Sequence, residues 1–516
     1  MRKPTAPALA LAALAACAAV FSACGGGRDA GVLRVSIPLN KPASYYDPAR
    51  TRRAFGQYFF LENTYTPLLE YTPDGKLVSA LAEHFELRGR DAHFRIRAGA
   101  ATAGGRGLDA YDAEASLKRL FILDRETHGA LEAELCGGRR LAALSDSCPG
   151  ISVLEGGRAL QLRFREPRPL IFQTLAAPEF SVVPRSAMDP ATLRIADYRE
   201  TSGPYYVESD DGAGNMVLKA NRRHFHYSPS MPARVVLVPY SPEAGESPLR
   251  MFLDGRVDHV TTLERIPCDE MIDFAAANRG EVNLHRTYPI KLFVVTFTKK
   301  GLRDLTPRER WETGKALKEV HNSAVLSRSG YERADQIFTL EGTLPESALK
   351  AIEAGFRARP AGPITGKRIL GWDGTGVIHA STAALAAALP GLELLKVHKN
   401  PNFTDFKKEK LQEPHFYAGG YNVGLQDDIA LIGYHMNAGT LLPGKGSRED
   451  WLLAYSREPD KARRFEMMRA LQYVSLERAV SVPMATVPYT ALVRKPWKFG
   501  MPRHHAGNQI WRIHRD

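Results

Sequence analysis

Cysteine is scarce in this chain: five in 516 residues. None lies in a Cys-x-x-Cys pair or at a Cys/His spacing that holds a structural metal, so the sequence offers no metal site of that kind. Equally missing are a Gly-x-Ser-x-Gly nucleophile elbow, a His-Glu-x-x-His helix and a phosphate-cradling P-loop. No helix-turn-helix pattern is present, no internal repeat, and no low-complexity segment beyond an Ala-rich N-terminus. A bilayer-spanning helix needs roughly 20 apolar residues, and the apolar run Ala8 to Phe21 is too short to span comfortably. These absences remove sequence support for the common hydrolases, for nucleotide hydrolysis and for a nucleic-acid module.

What is present fits a large globular protein. Apolar residues make up 44% and charged residues 24%, enough to build a sizeable core. The length points to two or three domains. The net charge is +12, but the cations are scattered rather than gathered in a stripe, so nucleic acid is not an expected partner. The excess suits residence near anionic membrane lipids instead.

The N-terminus carries the localisation signal. Arg2 and Lys3 precede the apolar run, which ends Phe21-Ser22-Ala23-Cys24 before Gly25-Gly26-Gly27. Small residues before a Cys and a flexible tether after it look like a lipoprotein signal, with Cys24 as the lipidated residue. Cys17, after Leu14-Ala15-Ala16, is a rival site, and an ordinary cleaved secretory peptide is the bland alternative. Losing Arg2 and Lys3 takes the charge from +12 to +10, which alters no conclusion. Cys136 and Cys148 lie close together in a Gly-rich stretch and are candidates to pair in an oxidising compartment. Cys268 is left over as a buried thiol.

The rest of the chain is organised around Gln57 to Leu87. Its residues read as an aromatic helical face (Tyr58, Phe59, Leu61, Tyr65), a short strand Pro67 to Tyr71, and a turn at Thr72-Pro73-Asp74-Gly75. A small helix with an apolar face is expected from Leu77 to His84. This order, Asn63-x-Tyr65 through Pro73-Asp74-Gly75-Lys76-Leu77 to Leu81-Ala82-Glu83 and Phe85-Glu86, resembles the signature of the family 5 extracellular solute-binding proteins. Those are the peptide- and nickel-binding components of ABC importers. Met251-Phe-Leu-Asp-Gly-Arg-Val-Asp258 resembles a second family motif, a helix ended by a left-handed Gly before a strand. Pro167 to Ala176, Thr201-Ser-Gly-Pro-Tyr205, Met216 to Phe225 and Ser481 to Tyr489 resemble further family segments. Ile510 and Trp511 resemble the closing strand.

Alternation predicts strands at Val32–Ile37, His93–Arg97, Arg158–Phe164, Arg234–Pro239, Lys291–Thr298, Lys367–Trp372 and Leu392–Val397. Helices are expected at Glu114–Phe121, with Leu117, Leu120 and Phe121 inward, and at Thr306–His321 behind a Thr/Pro cap. Two more are expected at Ser381–Leu389 and Lys461–Val474, the latter burying Phe465, Met468, Leu471 and Val474. The alternation after residue 367 predicts a parallel α/β lobe.

The resemblance implies a fold and a site. The fold is α/β and periplasmic binding protein type II-like, with two lobes, an extra subdomain and a discontinuous first lobe. The expected parts are a signal peptide at 1–23, a tether at 24–31, and a first lobe made of 32–56, 195–285 and 490–516. The extra subdomain is 57–194 and the second lobe 286–489. Ligand contacts are expected from Tyr45 and Tyr46, in the loop ahead of Asp47-Pro48, each of which has core packing as its competing reading. Gly420, Tyr421, Asn422, Val423 and Gly424 resemble the family's cleft-lining Gly-Trp-x-x-Asp segment, and Met484, Ala485 and Thr486 lie on the strand returning to the first lobe. In peptide-binding members the Asp pairs with the ligand's α-ammonium; here Gly424 stands in its place, which removes a charge-assisted bond unless Asp427 or Asp428 substitutes. His224-Phe-His226 is read as two imidazoles on one strand face and His504-His505 as a second pair, each more often solvated or hydrogen-bonded than metal-binding.

The functional expectation is a lipid-anchored, extracytoplasmic receptor that captures a peptide or peptide-like solute and hands it to permease and ATPase subunits. It is expected to be monomeric, to use no cofactor or metal, and to catalyse nothing. The alternatives are the same receptor binding a metal chelate, a glycoside or another small polar solute, and a chaperone-like or hydrolytic surface lipoprotein.

Overall fold

The computed structural model describes residues 31–515, apart from 38–42, 51–54, 73–75, 241–245, 262–267, 339–341, 361–367, 373–381, 397–408, 423–445 and 502–508. Cys17, Cys24, Val423, Gly424, Asp427, Asp428, His504 and His505 lie outside the described residues.

One mixed sheet runs through most of the described chain. From one edge its strands are Leu392–Lys396, Arg368–Trp372, Phe416–Asn422, Val282–Phe297, Ser481–Arg494, His259–Thr261, Val32–Ile37, Arg234–Pro239, Met216–Ala220 and Tyr205–Asp210. The short strand Glu332–Arg333 pairs with Ser481–Arg494 off this path. Strand Val32–Ile37 runs parallel to both Arg234–Pro239 and His259–Thr261. It buries Leu33, Val35 and Ile37 completely, as its alternation predicts. At the other end Arg368–Trp372 is parallel to Leu392–Lys396 and to Phe416–Asn422, with helix Thr382–Ala388 between the first two. This is the expected parallel α/β arrangement.

Two long antiparallel strands, Val282–Phe297 and Ser481–Arg494, join the two halves of the sheet. Their register runs evenly from Val282 opposite Arg494 to Arg286 opposite Thr490, then shifts around Pro289 and Lys291. Pro289 faces Pro488. Neither has an N–H, so the ladder cannot be completed there. Thr287 takes over part of the missing pairing: its hydroxyl accepts from the Tyr489 amide at 2.9 Å and donates to the Tyr489 carbonyl at 3.3 Å.

The described chain has three large apolar cores, two of them packed on this sheet. Leu33, Val35, Ile37, Phe59, Phe60, Tyr205, Leu237, Trp497 and Ile513 belong to one. A second, with Phe94, Leu120, Phe121, Leu160 and Phe164, covers a separate four-stranded sheet, Ala82–Arg88, Asp91–Ile96, Ala159–Arg163 and Ile151–Leu154. Helix Ala110–Leu123 packs on that sheet and buries Leu117, Leu120 and Phe121. The third gathers Phe293, Val295, Phe297, Leu317, Leu370, Phe416 and Met484.

Local signals settle many element ends. Thr306 caps helix Pro307–Val325 with a reciprocal Thr306/Glu309 capping box and Pro at the first turn. Gly255 adopts φ +73 just past helix Pro248–Leu253, the left-handed close expected there. Gly203 has a steric role: a Cβ on it would sit 2.3 Å from the Thr64 carbonyl carbon. Helix Phe55–Thr64 ends against this backbone, and the Gly203 amide donates to the Thr64 carbonyl at 3.0 Å. In helix Lys461–Glu477, Met468 and Leu471 are buried while Phe465 and Val474 are half-buried.

Three local expectations are corrected. Leu77 to His84 is not a helix: Leu77–Ser79 pairs with Leu69–Tyr71, and Ala82–Arg88 pairs with Asp91–Ile96. A short apolar run fits either state, and here nearby strand partners decide it. His224-Phe-His226 lies in turns rather than a strand. Ile510–Arg512 is a turn of 3-10 helix; the closing strand is Ile513–His514, paired with Lys498–Phe499.

Both ends of the described chain meet one loop. The Ala233 and Arg234 amides donate to the Gly31 carbonyl at 2.9 and 3.2 Å, and the Arg515 amide donates to the Ser230 carbonyl at 2.8 Å. Among the described residues no helix is long and apolar enough to cross a membrane.

Candidate functional site

The expected site residues fall into two groups. The first is the loop after strand Val32–Ile37. Ala43–Tyr45 forms a 3-10 turn whose first amide, at Ala43, donates to Asp210 Oδ2 at 2.7 Å. Tyr46 is fully buried and packs on Phe60 with ring centroids 5.0 Å apart. Burial pushes its hydroxyl well above the ordinary tyrosine range, and that oxygen has no hydrogen-bond partner among the described residues. Tyr45 stands edge-on to Tyr46 at 5.2 Å and is 40% exposed. Of the two aromatics, only Tyr45 offers a ring to a solute.

What holds this loop lies outside it. Asp47 makes a bidentate pair with Arg119 of helix Ala110–Leu123, with Arg119 Nη1 to Asp47 Oδ1 at 2.8 Å and Nη2 bonded to Oδ2. Arg119 is 1% exposed, and its Nε donates to the Leu193 carbonyl. Asp47 Oδ1 also accepts the Ala49 amide at 2.9 Å. No local spacing signals this pair, because its members are 72 residues apart.

The second group lies across three neighbouring strands. Phe293 is opposite Gly420 on one side and Ala485 on the other; Leu292 is opposite Tyr421 and Thr486. The fold therefore brings Gly420, Tyr421, Ala485 and Thr486 into one register. Asn422 faces Lys291 across the backbone ladder. Met484 and Ala485 are buried in the third core, and the Met484 carbonyl accepts from Asn322 Nδ2 at 3.0 Å and from the Ala334 amide at 3.1 Å. Their side chains pack inward, and Thr486 is nearly as buried.

Residues that sequence reading passed over surround this second group. A Cβ on Gly420 would meet Lys291 Cε at 3.0 Å and the Phe293 ring at 3.5 Å. Lys291 Nζ lies 5.3 Å from the Phe293 ring centre. Phe293 stacks in parallel with Tyr331 at 6.2 Å, and the Arg328 guanidinium lies 5.7 Å from the Tyr331 ring centre. Arg328 is in turn held by Asp269, Nε to Oδ2 at 2.6 Å and Nη2 to Oδ1 at 3.0 Å. Phe293 and Tyr331 are buried in the third core and Arg328 is neutralised by Asp269, so the part-exposed group beside Gly420 is Lys291. An ammonium there suits a ligand carrying a carboxylate.

The other candidates have structural roles. His224 Nε2 bonds Thr66 Oγ1 at 3.0 Å, and burial holds the ring well below the usual histidine range. His226 bonds Glu70 at 3.0 Å and stacks on Trp511 at 4.2 Å. Among the described residues no three His, Cys, Asp or Glu side chains come together to hold a metal ion. Cys136 and Cys148 are joined by a disulfide with Cα atoms 4.1 Å apart. Cys268 is a buried free thiol that accepts from Thr490 Oγ1 at 3.4 Å, and burial raises its pKa. Two cavities, of about 350 and 340 Å³, are lined by none of the expected site residues, although Pro483 of the first adjoins Met484. One is lined by Trp311, Lys315 and Pro483, the other by Gly31, Arg222 and Arg234.

No family model and no curated protein matches the chain. Solved structures do. The Escherichia coli murein tripeptide binding protein MppA is 16% identical, with a TM-score of 0.67 over 94% of this chain and 98% of that one. NikA from Brucella suis, solved in complex with Fe(III)-EDTA, is 15% identical, with a TM-score of 0.71 over 94% of this chain and 100% of that one. AgaA from A. tumefaciens R10, solved with agropinic acid, is 18% identical, with a TM-score of 0.65 over 94% and 99%. At these identities the likeness is one of fold, and it extends almost from end to end: the chain has the α/β, periplasmic binding protein type II-like architecture.

Proposed function

We propose that this chain is a family 5 solute-binding component of an ABC importer, anchored outside the cytoplasm by a lipid on Cys24. The observation that carries the reading is the near-complete overlap with solute-binding structures, 94% of this chain and 98% of MppA. The signature at 57–87 supports it independently. On this reading 32–56, 195–285 and 490–516 form the first lobe, 57–194 the extra subdomain and 286–489 the second lobe. The paired strands Val282–Phe297 and Ser481–Arg494 cross between lobes, and the broken register at Pro289 and Pro488 is where they bend. A solute touching both lobes binds the closed form better and shifts the population toward it. The chain delivers this closed form to permease and ATPase subunits and catalyses nothing itself.

The ligand is a peptide or peptide-like solute that Tyr45 meets from one lobe and the segment Gly420 to Gly424 from the other. One observation favours a second reading, a non-peptide anionic solute or chelate. Lys291 lies beside Gly420 over Phe293, and a cation there repels a free α-ammonium and attracts a carboxylate. The two readings separate by thermal melting of the unlipidated chain with free-amine peptides, their N-acetylated forms and carboxylate chelates. A ligand at a hundred times its Kd adds about 2.7 kcal/mol of stability. A shift with free-amine peptides alone supports the first reading. A shift with blocked peptides or chelates alone supports the second.

A further inference from the structure

The cavity at the chain's entry has no role in solute capture as described. Its volume is about 340 Å³, and Gly31, Lys219, Arg222, Tyr227, Met231 and Arg234 line it. Three of its lining residues are cations and none is an acid. Lys219 and Arg234 share one carboxylate, Glu208, at 2.9 and 2.7 Å. Arg222 is exposed and has no carboxylate partner among the described residues. Arg222 therefore stands beside a partly apolar lining as a cation that no carboxylate answers among the described residues.

Its position matters as much as its charge. Strand Val32–Ile37 starts at this cavity and ends toward the loop that carries Tyr45. Six residues of strand separate the two levels by about 17 Å. Strand Met216–Ala220 runs toward the cavity, because it is antiparallel to Arg234–Pro239, which is itself parallel to Val32–Ile37. The cavity and the Tyr45 loop thus lie at opposite ends of the strands. Lys495 follows the strand that ends at Arg494, at the cavity's end of the strands. Its Nζ donates to the Arg279 carbonyl at 2.9 Å, and both residues are exposed. Finally, the link to the anchor is short. From Cys24 to Gly31 the chain spans at most about 25 Å when fully extended. A lipidated Cys24 therefore keeps the Gly31 edge close to the bilayer whatever path the link takes.

We infer that the Lys219/Arg222/Arg234 cavity docks the phosphate of an anionic phospholipid headgroup, seating the anchored protein with its Tyr45 loop turned away from the membrane. The inference rests on the lipid-anchored reading above. Intact mass of membrane-extracted protein tests that reading separately, by the diacylglyceryl on Cys24, while vesicle binding reports on the cavity itself.

The test uses the mature chain from Gly25 onward without lipid, sedimented with vesicles of phosphatidylcholine alone or mixed equally with phosphatidylglycerol. The expected result is binding to the mixed vesicles only, weakened by added salt. Arg222→Gln should lower the partition coefficient about fivefold, while Lys350→Gln, exposed on helix Glu346–Ala358, should leave it unchanged. Equal loss in both variants would mean that net charge alone attracts the membrane, and would overturn the docking site. So would equal binding to pure phosphatidylcholine. A further arm adds inorganic phosphate without vesicles. If millimolar phosphate raises the melting temperature and Arg222→Gln abolishes that rise, the cavity is a soluble-anion site and the inference fails.

Discussion

Asp47 and Arg119 form a two-pronged ion pair inside the protein, joining the loop after the first strand to a helix that packs on a different sheet. Both side chains are almost completely buried. Removing one partner leaves a bare charge where water cannot reach it, at a cost of about 3–5 kcal/mol. Arg119→Met should therefore lower the urea midpoint sharply. The double variant Asp47→Asn with Arg119→Met should be less damaging than Arg119→Met alone, because no charge is left unpaired.

Gly203 predicts a steric penalty. A methyl group there meets the Thr64 backbone at 2.3 Å, and backbone cannot step aside as a side-chain tip can. Gly203→Ala should destabilise by about 1–3 kcal/mol, measured by thermal melting. Gly355, whose Cβ position is open, lies within helix Glu346–Ala358, so Gly355→Ala should be neutral or stabilising by up to about 1 kcal/mol.

The disulfide gives a redox prediction. Cys136 and Cys148 are separated by 12 residues, and closing such a loop removes about 3 kcal/mol of denatured-state entropy. The pair Cys136→Ser/Cys148→Ser should lose stability of that order. Dithiothreitol should weaken the parent protein and leave the double variant unaffected.

His259 gives a pH prediction. Both its ring nitrogens are buried without hydrogen-bond partners among the described residues, and burial with His285 nearby depresses its pKa from the ordinary 6.5 to about 3. The unfolded chain therefore takes up a proton near pH 6.5 that the folded chain refuses until about pH 3. Stability is present above 6.5 and is lost as pH falls through that window, by up to about 1.4 kcal/mol per pH unit. His224 is shifted in the same direction. His259→Phe should flatten the urea midpoint between about pH 7 and about pH 5 relative to the parent. An unchanged slope would mean that His259 is not among the groups that set acid stability.

Much of the fold is legible in local chemistry. The alternation of Val32–Ile37 and the Thr306-Pro307 start of a long helix both use signals carried by neighbouring residues. So does the Gly255 close after Pro248–Leu253. The candidate site is less legible, because its geometry comes from pairing across distance. Gly420 meets Lys291 and Phe293 only through strand register, and no spacing in either segment announces it. The Leu77–His84 misreading has the same root: its strand state is set by Leu69–Tyr71 and Asp91–Ile96, not by its own pattern. Tyr46 shows a subtler limit. An aromatic in a loop reads equally as ligand contact or core, and its burial against Phe60 becomes visible only once the helix is in place.

Gly31 and Arg515 are both tied to the segment Ser230–Arg234. The two ends of the described chain leave the body side by side, so the order in which the strands are synthesised is not essential to how they pair. Joining the ends by a short flexible linker and reopening the chain at the exposed Gly212 turn would keep every strand pairing. The same proximity means that a domain inserted beside Arg515 would crowd Gly31 and the Ser230–Arg234 segment that holds both.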